Sequence, residues 1–208
     1  MKVSVSILGE SDTAKSVRLV NDTLCDYIHV DVMDGKFVAN KRYDISEIKF
    51  INSIANKKMD IHLMVNNPLK YIRKLSNMNI EYITFHYEIN KNINRVINAI
   101  KKRGYKVGMA INPSTKASDI TKYIDKIDMI LVMSVEPGKG GQKFINNTID
   151  KIKEIRNLNF NKVISVDGGI NNVVAEALDH ADILVVGSYI TSCNSYVDKV
   201  NIIKNIGS

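Results

Sequence analysis

Apolar and β-branched residues recur along the chain in eight short runs, several of which alternate with polar positions. In the second run Ile28, Val30 and Val32 share one face, whereas His29 and Asp31 lie on the other. Alternation with a period of two is typical of a β-strand. The runs predict strands at residues 3–8, 27–33, 59–65, 82–87, 106–112, 129–135, 162–168 and 182–188.

The segments between these runs carry apolar residues at helical spacing, as with Ile93, Val96, Ile97 and Ile100. Eight strands therefore alternate with about eight helices, and no linker or Pro/Ser-rich tract divides the 208 residues. This pattern predicts an α/β fold, a (βα)8 TIM barrel that forms one domain over residues 1–208. An open, doubly wound sheet is the alternative, but it rarely needs eight parallel strands in so short a chain.

Composition and charge narrow the class of protein. Of the residues, 45% are hydrophobic and 25% are charged, which suits a globular domain. No apolar run approaches the roughly 18 residues of a membrane span, and the first residues lack the features of a secretory signal. We therefore expect a cytoplasmic protein without a membrane partner. The net charge of +7 comes from scattered lysines, so we expect no nucleic-acid partner.

Polar residues gather where the predicted strands end. In a TIM barrel the carboxyl ends of the strands form the face that carries the chemistry. Side chains at these ends are predicted to converge on one barrel mouth. They are Ser6, His29, Asp31, His62, His86, Asn112 and Asp167.

Four of these residues form a set of potential metal ligands. His29 and Asp31 belong to the second strand, His62 to the third and Asp167 to the seventh. Two imidazoles and two carboxylates suit a divalent Zn, Fe, Mn or Co ion, and the mixture does not choose among them. A bound cation would offset the cost of burying both aspartates. The sequence therefore predicts one divalent metal ion at the mouth.

Glycine-bearing loops follow the last three predicted strands. They read EPGKGGQ at 136–142, DGGI at 167–170 and VGS at 186–188. Glycine allows the backbone to approach a ligand and to expose its N–H groups. In TIM barrels the loops after strands seven and eight commonly bind phosphate. The three loops, with the hydroxyl of Ser188, predict a phosphate site.

Several motifs together resemble ribulose-phosphate 3-epimerase over nearly the whole chain. The most specific are HVDVMDGKFVAN at 29–40, EPGKGGQKF at 136–144 and VDGGI at 166–170; SIL at 6–8, DIHLMV at 60–65 and ITFHYE at 83–88 accompany them in the same order. The resemblance implies a ribulose-phosphate-binding barrel in the pentose phosphate pathway. It implies interconversion of D-ribulose 5-phosphate and D-xylulose 5-phosphate, without an organic cofactor, in a homo-oligomer.

The resemblance also implies roles for individual residues. His29, Asp31, His62 and Asp167 match the metal ligands, and Asp31 and Asp167 match the catalytic acid/base pair. We expect this pair to move a proton at C3 through an enediolate. Met33, Met64 and Met133 match methionines that line the mouth. The substrate-binding positions are Ser6, His62, Gly138, Lys139, Gly140, Gly141, Asp167, Gly168, Gly169, Gly187 and Ser188.

The chain also departs from the family pattern, and the departures leave alternatives open. Val5 and Ala39 stand where the family usually has proline, GES at 9–11 replaces a small SAD-like stretch, and Lys139 replaces an aromatic residue. A 3-epimerase for a hexulose 6-phosphate such as allulose 6-phosphate is one alternative. A non-catalytic phosphate- or nucleic-acid-binding barrel is a more distant one. The related orotidine phosphate decarboxylases are disfavoured, because no DxKxxD motif follows a strand. The identity of the metal and the role of His86 stay open.

Overall fold

The fold is described for residues 1–206 of a computed structural model. Gly207 and Ser208, the last two residues of the predicted domain, lie outside the described residues, and the division of the chain into one domain stays a prediction. The strands are β1 Lys2–Ser6, β2 Tyr27–Asp34, β3 Lys41–Arg42, β4 Lys58–Met64, β5 Ile80–His86, β6 Lys106–Ile111, β7 Met129–Met133, β8 Val163–Asp167 and β9 Ile183–Val186. The helices are α1 Thr13–Asn21, α2 Ile45–Ile54, α3 Pro68–Ile72, α4 Ile93–Lys101, the 3₁₀ helix Ala117–Lys126, α5 Thr148–Asn157, α6 Asn172–Glu176, α7 Ser188–Thr191 and α8 Tyr196–Lys204.

Eight parallel strands close into a barrel, which confirms the predicted fold class. Their order around the ring is β1, β9, β8, β7, β6, β5, β4 and β2, and pairing of β1 with β2 completes it. Each predicted strand corresponds to an observed one with ends within two residues. The short β3 pairs antiparallel with the end of β2. It was not predicted, because two residues are too few to show a period.

The outward faces of the strands form the main core under the helices. Ile28, Val30 and Val32 of β2 are fully buried, as are Val96 and Ile100 of α4. All five belong to one apolar cluster. Each fully buried aliphatic side chain contributes about 1.5–3 kcal/mol to stability. The alternation seen in the sequence thus directs one face of each strand to the helices and the other into the barrel.

The interior of the barrel is closed at the amino-terminal ends of the strands. Tyr27, Tyr82, Met129 and Ile183 pack together there, with the two tyrosine rings edge to face at 5.9 Å. Above this plug the interior becomes polar on the β1, β2, β4 and β5 side, where Ser4 and Asp60 are fully buried. The amino-terminal end of the barrel interior is therefore filled with side chains.

Among residues 1–206, no helix is both long and apolar enough to cross a membrane.

Candidate metal centre and active site

The four predicted metal ligands lie together at the carboxyl end of the barrel. His29 and Asp31 come from β2 and His62 comes from the neighbouring β4, where it is in register with Asp31. Asp167 is the last residue of β8. One potential ligand atom from each of the four lies within 4.8 Å of those from the other three. Strand alternation and barrel closure together produce this cluster, since both β2 residues point inward.

The distances within the cluster suit ligands of a common ion. His29 Nε2 lies 3.3 Å from Asp31 Oδ1 and 3.7 Å from Asp167 Oδ2. His62 Nδ1 lies 3.2 Å and 3.6 Å from the same two oxygens. Two metal–ligand bonds of about 2.0 Å at a tetrahedral angle would place their ligand atoms roughly 3.3 Å apart. Both imidazoles therefore face both carboxylates at separations that a divalent cation would require.

An unpaired buried atom supports the same conclusion. His29 Nε2 is buried and accepts or donates no hydrogen bond within residues 1–206. Burial of a polar atom without a hydrogen-bond or metal partner lowers the stability of the folded protein. Nitrogen and carboxylate oxygen ligands in this number are typical of sites for divalent transition metals. The residues present thus fit a metal ion, and their chemistry does not select which one.

The electrostatics of the cluster favour charged groups in spite of burial. Burial lowers the pKa of His29, but Asp31 and Asp60 outweigh it and raise that pKa well above its usual 6.5. Burial raises the pKa of Asp31, but His29 and His62 outweigh it and hold that pKa far below its usual range. Asp31 is therefore a carboxylate at neutral pH, as both a metal ligand and a general base require.

Asp60 is a fully buried carboxylate of β4 to which the sequence analysis assigned no role. Its Oδ2 lies 2.8 Å from His29 Nδ1 and accepts a hydrogen bond from Ser4 Oγ at 3.1 Å. A carboxylate can only accept, so Nδ1 of His29 carries a proton, and once Nε2 has lost its own proton its lone pair faces the cluster. A charged residue at a strand position below the mouth was the available signal.

His86, whose role the sequence left open, lies next to His62. Their Nε2 atoms are 2.8 Å apart, and both side chains are fully buried. Burial lowers the pKa of His86 to about 4, against the opposing effect of Glu88. His86 is consequently neutral at physiological pH and has one N–H and one lone pair.

A cleft of about 250 Å³ opens above the cluster. Its walls include Ser6, Asp31 and Asp167, and Ser6 Oγ donates a hydrogen bond of 2.8 Å to Asp31 Oδ2. Most of the predicted substrate-binding positions line it as well: Gly138, Lys139, Gly140, Gly141, Gly168, Gly169, Gly187 and Ser188. The structure thus brings the three glycine-bearing loops around one space beside the candidate metal ligands.

The methionines divide between two places. Met64 and Met133 line the cleft. Met33 lines a neighbouring depression that also includes Leu8 and Arg42. The two depressions adjoin each other, since Gly138, Lys139 and Gly140 line both.

Close packing ties the glycine loops together. Gly169 has a φ of +64°, and a Cβ at this position would lie 2.5 Å from the backbone nitrogen of Phe144. Only glycine permits both the left-handed conformation and this approach. The loop after β7 therefore rests directly on the loop after β8.

Two amide side chains that were not assigned a role stabilise the loop after β7. Gln142 Nε2 donates to the carbonyl oxygens of Glu136 and Lys139, each at 2.7 Å. Asn40 Nδ2 donates to the carbonyl oxygen of Gly138 at 2.8 Å. The loop is thereby folded on itself and joined to the segment after β2. The contact that Lys139 makes with Gln142 uses its backbone carbonyl and does not depend on its side chain.

Known structures share this architecture at low sequence identity. The 3-hexulose-6-phosphate synthase of Salmonella typhimurium superposes with a TM-score of 0.72 at 18% identity, covering 100% of this chain and 98% of that one. The phosphoribosyl anthranilate isomerase of Thermococcus kodakaraensis gives a TM-score of 0.66 at 15% identity, with coverages of 99% and 97%. At these identities the similarity establishes the barrel fold alone.

Proteins related by sequence share a higher identity with this chain than these structures do. The ribulose-phosphate 3-epimerase of Aquifex aeolicus is 40% identical over 169 residues, covering 78% of this chain and 76% of that protein. The enzyme of the same name from Bacillus subtilis is 34% identical over 197 residues, covering 90% and 91%. The family model described as the ribulose-phosphate 3 epimerase family matches residues 2–191. This chain therefore belongs to the ribulose-phosphate 3-epimerase family.

Proposed function

We propose that this chain interconverts D-ribulose 5-phosphate and D-xylulose 5-phosphate, with Asp31 and Asp167 as the acid/base pair at C3. Family membership supports the reaction. One observation carries the assignment of residues: Asp31 and Asp167 face the same two imidazole nitrogens and both line the cleft that the glycine loops surround.

Epimerisation next to a ketone needs two proton-transfer groups. One removes the C3 proton and the other returns a proton to the opposite face of the planar enediolate. Asp31 and Asp167 come from β2 and β8, which are separated in the barrel by β1 and β9. They therefore approach the cleft from different sides. Because the reaction is reversible, each aspartate acts as base in one direction and as acid in the other.

The metal would be held by His29, Asp31, His62 and Asp167. When bound, a divalent Zn, Fe, Mn or Co ion supplies positive charge that can stabilise negative charge on substrate oxygens by several kcal/mol. Ser6 holds Asp31 through its hydrogen bond to Oδ2. Asp60 holds His29 in the tautomer that leaves Nε2 free.

The substrate would be oriented by its phosphate. We assign phosphate and sugar binding to the residues of the three glycine loops, because these residues surround the cleft and backbone N–H groups and hydroxyls such as that of Ser188 are suitable donors to a phosphate. Lys139 would add a positive charge at the rim, where it is exposed. Gripping the phosphate fixes the distance between C3 and the two carboxylates. No described feature favours the hexulose phosphate alternative over the pentulose phosphate.

We further propose a homo-oligomer that works in the cytoplasm, by analogy with the family.

The decisive test is exchange of deuterium from solvent into C3 of ribulose 5-phosphate. We expect exchange in the metal-loaded wild type, and we expect both Asp31→Asn and Asp167→Asn to lose at least about 10²-fold in turnover, the lower range for removal of a general acid or base. Asp128→Asn is the matched control. Asp128 precedes β7 at the opposite end of the barrel, and an amide can still accept from the Val107 N–H. Near-full exchange in either active-site variant would reject the acid/base assignment.

A further inference from the structure

His86 and Glu88 extend the polar network of the mouth away from the cleft. We propose that these two residues form a positioning relay that fixes His62 as a metal ligand through Nδ1. The inference rests on the metal site proposed above and adds two residues to it.

The direction of the first bond follows from the two nitrogens of His62. Nδ1 faces Asp31 and Asp167 at 3.2 Å and 3.6 Å, so it is the nitrogen available to a cation. A metal ligand must offer a lone pair, and a neutral imidazole then carries its proton on the other nitrogen. His62 Nε2 is thus the donor towards His86 Nε2, 2.8 Å away.

The second bond continues in the same direction. His86 accepts at Nε2, so its proton is on Nδ1, which lies 3.2 Å from Glu88 Oε2. The ring of Phe37 packs on the ring of His86 at a centroid distance of 4.7 Å and restricts its rotation. A carboxylate has no proton to donate. Every nitrogen between the cluster and Glu88 therefore has a single consistent role.

The far end of the relay is anchored to the backbone. Glu88 Oε1 accepts from the backbone N–H of Asn112 at 2.8 Å and from the hydroxyl of Thr115. A backbone N–H can only donate. Oε1 is consequently committed to these two partners, and Oε2 alone is available to His86.

This anchoring gives Glu88→Gln an unusual consequence. The amide oxygen of the glutamine has to face the Asn112 N–H, so its NH₂ group has to face His86 Nδ1. Nδ1 must then accept, which moves the proton of His86 to Nε2 and points two N–H groups at each other between His86 and His62. His62 could avoid this clash only by moving its own proton to Nδ1, the metal-binding nitrogen. Glu88→Gln, which hardly alters the size of the side chain, would thus reverse the direction of the hydrogen bonds in the relay.

The test measures Co²⁺ binding by calorimetry and by the visible absorption of the bound ion. Relative to the wild type, we expect Glu88→Gln to weaken binding by about 10-fold to 100-fold, the range for partners that orient a metal-binding histidine. His86→Phe keeps a ring in place but removes both bonds, and we expect a loss of the same order. Glu81→Gln is the matched control, since Glu81 pairs with Lys58 and Lys106 at the amino-terminal end of β5.

The double variant distinguishes a relay from two independent structural effects. If Glu88 acts through His86, Glu88→Gln adds nothing to the loss in His86→Phe. Additive losses, or Glu88→Gln within twofold of the wild-type affinity, would overturn the relay while leaving the metal site intact. Absence of Co²⁺ binding in the wild type would instead reject the metal site, and the relay with it. Circular dichroism confirms that each variant is folded.

Discussion

At the scale of single residues, the pairing of buried charges organises the mouth of the barrel. His29 is fully buried between Asp60 and Asp31, and Asp31 is itself held by Ser6. An unpaired ion at this depth would cost several kcal/mol. His29 and Asp31 therefore each have a partner of opposite charge, and Asp31 in addition lines the cleft.

The raised pKa of His29 leads to a pH dependence of metal binding. A cation needs Nε2 without its proton, so at any pH below the folded-state pKa, which lies well above 6.5, binding must displace a proton. We expect affinity for Co²⁺ to rise by up to about tenfold per pH unit as pH increases towards that folded-state pKa. Calorimetry in buffers of different ionisation enthalpy would count the protons released. A pH-independent affinity would contradict the assignment of His29.

The folding stability of the metal-free protein should decrease with rising pH, whereas its metal affinity increases. Because the pKa of His29 is raised on folding, its contribution to stability is fully present below pH 6.5 and is lost as pH rises through the folded-state pKa. Asp60→Asn removes one of the two carboxylates that raise this pKa. The variant is therefore a control in which both pH dependences should weaken.

At the scale of elements, the loops after β7 and β8 are held together by backbone contact. Gly169 lies against Phe144, and Gln142 folds the preceding loop on itself. The position of the backbone that lines the cleft thus depends on packing between the loops that follow two neighbouring strands.

Substitution of Gly169 tests this contact. Gly169→Ala adds a Cβ at 2.5 Å from the Phe144 nitrogen in a left-handed conformation, whereas Gly104→Ala adds one at a φ of +76° with no atom within 4 Å. We expect Gly104→Ala to cost about 1–2 kcal/mol from its conformation alone. Gly169→Ala should cost about 1–3 kcal/mol more, because backbone must shift. Urea unfolding and KM for the sugar phosphate would measure both effects. Equal costs would show that the loop contact is not tight.

At the scale of the whole molecule, closure of the barrel brings strands from distant parts of the chain together at one site. His29, His62 and Asp167 come from strands that are distant in sequence, and a shared ion would link them. Such a link stabilises the folded state, because the unfolded chain cannot assemble the ligands.

Removal of metal should therefore lower stability as well as activity. At a free metal concentration of 100 times Kd, binding adds about 2.7 kcal/mol. For a domain of this size that corresponds to a rise in Tm of about 5–10 °C. We expect a chelator to reverse this shift and to abolish turnover. A variant with both His29→Gln and His62→Gln should show no metal-dependent shift; full activity in protein shown to be metal-free would contradict metal assistance.

The sequence determined the architecture and which residues make up the candidate ligand set. The period-two runs gave the eight barrel strands, since alternation is a local property that a strand must have when one face packs on helices. The same alternation placed His29 with Asp31 and aligned them with His62 and Asp167 at strand ends. Local pattern was enough there, because barrel geometry sends all carboxyl ends to one face.

Only the tertiary structure decided the contacts between elements. Register and side-chain rotation decide which residues meet across elements. They bring Asp60 to His29, His86 to His62, and Gly169 to Phe144. The antiparallel pairing of Met33 with Arg42 depends on a strand of two residues. These features are set by the distances between segments that the fold brings together, and no periodicity within a segment encodes those distances.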